Sequence, residues 1–228
     1  MSVFKKFFHA LLLSLGLASG LYAQNANQST PNQVTPSQAA PSQAVRNYAA
    51  GAPAAAAAKP VVGFPAQIQV ENTRLNLNGK GTRYKAIFKV YDMAMYTSTK
   101  VTTPEQAISA PGPKRLQFVA LRELPGTDLG LLFLRGMKEN SSPELVSKHT
   151  ASANRLVDIF SGKAKMLPGE GFAMEYVPGK GTTFFIMDKP QGAPLGDAEF
   201  FGMVLRIWLG QAPADFMLKD ALLGATKG

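Results

Sequence analysis

The chain has 228 residues, a formal charge of +9 and no cysteine. That composition excludes disulfides, thiol nucleophiles and iron–sulfur clusters, so a folded domain here must rely on its own apolar core. Lys and Arg are scattered without a run of three, which reads as solvated surface charge; no nucleic-acid partner is expected.

Residues 1–23 have the order of a secretory signal peptide. Lys5 and Lys6 come first, Phe7 to Leu17 is largely apolar, and Ser19, Gly20 and Ala23 are small residues before a cut after Ala23. The apolar run is about a dozen residues, against roughly 20 for a membrane span. The expectation is a periplasmic or secreted protein with no stable membrane anchor after cleavage. Its charge is then +7, because Lys5 and Lys6 are lost with the signal. Residues 24–63 are rich in Gln, Asn, Ser, Pro and Ala, repeat Pro-Ser-Gln-Ala at 36–39 and 41–44, and almost lack large apolar residues. Such a segment has too little to bury to offset its ordering entropy, so a disordered tether is expected.

The texture changes at residue 64, and residues 64–226 read as one α+β domain. Ile68, Val70, Leu75 and Leu77 alternate, and Asn78-Gly79 follows as a hairpin signal, with a return strand expected from Thr82 to Tyr96. A short helical turn opens at Pro104, and Lys114 to Glu123 forms a further strand. A helix is expected from Thr127 to Asn140, with Leu129, Leu132, Phe133 and Met137 on one side. Ser142 and Pro143 start a second helix that stops at Gly162. A hairpin around Pro178-Gly179-Lys180-Gly181 and two closing helices, Asp197 to Leu209 and Pro213 to Leu223, complete an antiparallel sheet covered by helices.

Catalytic patterns are thin. His9 falls in the signal, which leaves His149 alone, and no HExxH, Walker or G-x-S-x-G pattern is present. No metal and no cofactor are expected. Arg83 and Tyr91 are the chemically suggestive pair, since a guanidinium can hold a carboxylate bidentately and a phenol can add a hydrogen bond.

The order of segments resembles the chalcone isomerase family. The resemblance is carried by Gly79-Lys80-Gly81-Thr82-Arg83, by Lys89-Val90-Tyr91 to Tyr96, by Leu121 to Asn140, and by Phe200 to Lys219 with Ile207-Trp208-Leu209-Gly210. It is most similar to the bacterial exported branch. The resemblance implies an open-faced β-sandwich, a large antiparallel sheet under a layer of helices, with the ligand cleft between the two. It implies either a conjugated-carbonyl cyclase or a fatty-acid binder. Arg83 matches the family arginine. Tyr91 stands where the enzymes have threonine and the fatty-acid binders tyrosine, and Phe133 stands where the enzymes have their catalytic tyrosine. Asn140 matches an asparagine one heptad later, and Ile207 and Trp208 replace a polar–apolar pair that contacts substrate.

Hydroxyls are thus missing at Phe133 and Ile207. Each lost transition-state hydrogen bond costs about 2.7–4 kcal/mol of barrier, so chalcone cyclisation is not expected. The expectation is a non-catalytic binder of a small amphipathic carboxylate such as a fatty acid, held by Arg83, Tyr91, Phe133, Asn140, Ile207 and Trp208. An isomerase of the intramolecular lyase type and an envelope interaction module are the alternatives. One difficulty stands: on an uninterrupted strand Arg83 and Tyr91 would lie about 26 Å apart, at roughly 3.3 Å per residue.

Overall fold

The computed structural model describes residues 63–225. The expected signal peptide, residues 1–23, and the tether up to residue 62 lie outside the described residues. Those described belong to one compact unit. Among them, no helix is long and apolar enough to cross a membrane.

Nine strands and six helices alternate in an α+β order among these residues. The strands β1 (Gln67–Val70), β2 (Thr73–Lys85) and β3 (Phe88–Thr97) come first. After the short α1 (Pro104–Ser109) come β4 (Lys114–Ala120), β5 (Leu124–Pro125) and α2 (Gly126–Glu139). The middle of the chain forms α3 (Pro143–Lys148), α4 (Thr150–Ser161) and β6 (Lys165–Met166). Then follow β7 (Gly171–Val177), β8 (Gly181–Ile186), β9 (Lys189–Pro190), α5 (Ala198–Leu209) and α6 (Phe216–Leu222). One antiparallel sheet runs in the order β1-β2-β3-β4-β7-β8-β9, and β5 pairs separately with β6.

The Asn78-Gly79 hairpin expected from the sequence does not form. The chain turns instead at Glu71-Asn72 and at Ala86-Ile87, and Asn78 lies inside β2 as the extra residue of a bulge. Its side chain is buried and fully engaged: Nδ2 donates to the carbonyls of Val101 at 2.9 Å and Leu222 at 2.8 Å, and Oδ1 accepts from Val101 N–H at 2.8 Å. Gly79 is needed for approach rather than for turning, since a Cβ there would lie 2.2 Å from the Ala221 carbonyl oxygen of α6. The same dipeptide thus answers a tertiary demand that no local pattern reveals.

The bulge also swaps the faces of β2. Before it, Leu75 and Leu77 join a small cluster with Val70, Ala94 and Tyr96 on one face of the sheet. After it, Gly79, Gly81 and Arg83 pair with Met95, Met93 and Tyr91, which belong to the main core beneath the helices. A single inserted residue inverts the in–out alternation, so Arg83 faces the helical layer.

The helical layer forms for ordinary reasons. Leu129, Phe133 and Met137 repeat at spacings of four on α2 and are all buried. Asp197 and Asp215 cap α5 and α6 through their carboxylates. α5 is apolar nearly all round, from Phe200 to Leu209, because it lies between the sheet and other helices. Trp208, Phe118, Phe160 and Phe172 pack in the interlayer core, all of them buried. Burying each contributes about 1.5–3 kcal/mol. The single helix expected from Ser142 to Gly162 is two, because the chain breaks at His149, which closes α3 and opens α4.

Candidate functional site

The second turn, at Ala86-Ile87, removes the spacing difficulty. Because β2 and β3 fold back on each other there, Arg83 and Tyr91 are direct cross-strand partners. The Arg83 Cζ stands 5.7 Å from the centroid of the Tyr91 ring. Eight residues of sequence collapse to one rung of the ladder.

Tyr91 is 2 % exposed and held from two sides. Its ring meets Phe118 edge-on at 5.4 Å, and its hydroxyl oxygen accepts from Trp208 Nε1–H at 2.7 Å. The hydroxyl's own proton has no acceptor among the described residues. Burial pushes its pKa up to about 12, against the opposing pulls of the Arg83 charge and the Trp208 hydrogen bond. At neutral pH Tyr91 is therefore a donor and not a phenolate.

Arg83 is half-buried, and its Nε is a buried donor with no partner among the described residues. Native structures seldom leave a buried donor so, and the missing acceptor is informative. Among the described residues, neither Arg83 nor Lys85 has a carboxylate within ion-pair distance. Both line a cleft of about 330 Å³ between the end of β2–β3 and α2, with Tyr91, Leu129, Phe133 and Ile207 in its walls. A second hollow of about 230 Å³ shares Arg83, Lys85, Leu129 and Leu132 with it. The volume is at the lower end of small-molecule sites, roughly 300–1,000 Å³.

Of the six residues expected at the site, Arg83, Tyr91, Phe133 and Ile207 come together at this cleft. Trp208 does not line it; it is fully buried and donates its Nε1–H to the Tyr91 hydroxyl. Asn140 is a structural clamp instead. Its Nδ2 donates to the Gly136 and Ala212 carbonyls and its Oδ1 accepts from Ala212 N–H, tying the end of α2 to the loop after α5. The sequence reading missed Lys85, which stands two residues along β2 from Arg83 and lines the same cleft.

Two other places are less suited. A larger hollow of about 590 Å³ lies by Phe64, Lys80, Thr82 and Asp92, but there Thr82 Oγ1 already donates to Asp92 Oδ1 at 2.5 Å. His149, Asp197 and Glu199 gather with one potential ligand atom of each within 4.8 Å of the others. However, Lys148 pairs with Glu199, and Asp197 Oδ1 accepts from two backbone N–H groups of α5.

Comparison with known proteins agrees with this architecture. Among solved structures, a fatty-acid binding protein of Arabidopsis thaliana is similar, at a TM-score of 0.56 and 14% identity over 71% of this chain and 91% of that one. No curated protein matches the sequence. Residues 56–224 match the family described as chalcone isomerase-like. The chain belongs to the chalcone isomerase-like family.

Proposed function

We propose that the protein is an exported, non-catalytic carrier of a small amphipathic carboxylate, such as a fatty acid. The observation that carries this is the guanidinium of Arg83, with a buried and unpartnered Nε, at a cleft where apolar side chains from Leu129 to Ile207 stand beside Lys85 and the Arg135–Glu139 pair. A carboxylate supplies the missing acceptor, and a charge-assisted hydrogen bond in such a partly dry site is strong. Tyr91 can offer its free proton to the same oxygen, and Leu129, Phe133 and Ile207 receive the first part of the tail. The fatty-acid binding described for the Arabidopsis protein of the same fold supports the ligand class. Export rests on the signal-like order of residues 1–23.

The test is displacement of a fluorescent fatty acid from the purified domain. Arg83→Gln is expected to weaken binding at least tenfold while leaving the far-ultraviolet spectrum unchanged. Equal affinity in the variant sinks the proposal. Recovery of the protein, shortened by about 23 residues, from the periplasm or medium checks export; an uncut chain in the cytoplasm contradicts it.

A further inference from the structure

The mouth of the cleft is unusual in being both greasy and cationic. At the tip of the β2–β3 hairpin Ile87 is 84% exposed and Phe88 58%. At the start of α6 Phe216 is 66% and Met217 74% exposed. The two segments adjoin, because Tyr84 N–H donates to Asp215 Oδ2, the cap of α6, at 2.9 Å. Such side chains in water are costly unless something covers them, and grouped apolar exposure marks an interaction surface.

The charges beside them point to what does. Lys85 and Lys89 flank the hairpin tip in the paired strands, and Arg122 stands over the Phe88 ring at 5.8 Å. None of the three has an ion-pair partner among the described residues. The nearby acids are mostly engaged: Asp215 caps α6, Glu123 pairs with Lys165 and Glu139 with Arg135, which leaves Asp128 on α2. Aromatic and aliphatic tips ringed by Lys and Arg suit the boundary of an anionic bilayer, where the tips enter the acyl region and the cations meet headgroups.

We propose that this end of the domain docks on anionic lipid membrane, and that the cleft takes up or delivers its ligand there. The proposal rests on the reading of the cleft as a site for an amphipathic carboxylate. It adds the partner from which such a molecule, sparingly soluble in water, is drawn. The described domain lies on the bilayer surface in this docking. Lys85 lines the cleft as well as the docking rim, so one continuous surface joins the membrane to Arg83.

The test is flotation of residues 53–228, which hold the whole described core and omit the apolar stretch Phe7 to Leu17. Vesicles of phosphatidylcholine are compared with vesicles containing phosphatidylglycerol. The domain is expected to float at least tenfold better with the anionic vesicles, and salt should weaken it. Phe216→Ser with Met217→Ser should abolish flotation yet leave displacement of a fluorescent fatty acid in solution unchanged. Lys89→Glu should weaken flotation without touching the apolar tips.

Failure of the domain to float on either vesicle overturns the proposal, as does flotation unchanged by the paired serines. A dimer in sedimentation that the serines split, without flotation, assigns the surface to a second copy and also overturns it. The two readings separate cleanly. Arg83→Gln that floats but binds no fatty acid supports both, whereas a wild-type domain that floats but never binds one removes the ligand reading and leaves the docking surface.

Discussion

Two arginines on opposite faces of one sheet differ in whether the fold supplies them with an acid. Arg115 stands 4.9 Å over the Phe185 ring and meets Glu175 through Nη1 at 2.6 Å. Arg83 stands 5.7 Å over Tyr91 and meets no carboxylate among the described residues; a cleft takes the place of the acid. In both a guanidinium lies on an aromatic ring of the sheet, that of its direct cross-strand partner for Arg83 and that of a residue on β8, beyond β7, for Arg115. The supply of an internal anion differs. Where the fold provides one the site is closed, and where it does not the site is open to a ligand.

The contrast requires each arginine to stay on its own face, and the largest effect is expected from disturbing that. Gly79→Ala places a methyl group 2.2–2.6 Å from the α6 backbone, atoms that no rotamer change can move aside. A loss of about 3 kcal/mol or more is expected, read as a lower urea midpoint. Fatty-acid binding should fall with it, because α6 and the bulge together hold Arg83 toward the helices. Unchanged stability in the Gly79→Ala protein would mean that the close packing of α6 on β2 is wrong.

Much of the fold was legible in the sequence. The strand opening at Lys114, the hairpin around Pro178-Gly179-Lys180-Gly181 and the helix start at Ser142-Pro143 were readable, because these signals act within a few residues, whereas the last helix starts at Phe216 under an Asp215 cap and not at Pro213. What misled was Asn78-Gly79, where a strong local turn signal yielded to contacts with Val101 and Leu222 far along the chain. The real turns, at Glu71-Asn72 and Ala86-Ile87, carry positive φ on Glu71 and Ala86, and neither residue type announces that conformation. For the same reason the meeting of Arg83 and Tyr91 was hidden. Trp208 and Asn140 were placed at the site by resemblance, and only three-dimensional packing separates a wall of the cleft from the residue behind that wall.

The aromatic partners differ too, and that difference is measurable by pH. Phe185 has nothing to ionise, whereas Tyr91 keeps its proton until about pH 12 in the folded protein. In the unfolded chain the same group loses it near pH 10. The unfolded state therefore releases a proton first, and stability falls as pH rises through the interval between the two values. Fully expressed, two units correspond to roughly 3 kcal/mol. Tyr91→Phe should cost about 1–2 kcal/mol at neutral pH, since Trp208 Nε1–H loses its acceptor. It should also flatten the alkaline decline. Some decline persists from Tyr96, itself pushed up to about 12 by burial. Parallel alkaline limbs for wild type and variant would place the Tyr91 hydroxyl in water.

The smallest effect asks whether a freed arginine is enough. Glu175→Gln removes the acid from Arg115 while keeping the side chain's shape, and both partners are only about one-sixth exposed, at 15% and 16%. A cost of about 1–2 kcal/mol is expected, below that of a deeply buried pair because water still reaches the site. Arg115 then resembles Arg83 in charge but not in setting, since its neighbours across the strands are Tyr96 and the substituted position 175 rather than an apolar hollow. The stoichiometry of fatty-acid binding should stay at one per chain, measured by titration of the fluorescent probe. A second site in the glutamine variant would show that an unpaired guanidinium on an aromatic ring suffices by itself. The cleft between sheet and α2 would then lose its claim to be what makes Arg83 selective for an acid with a tail.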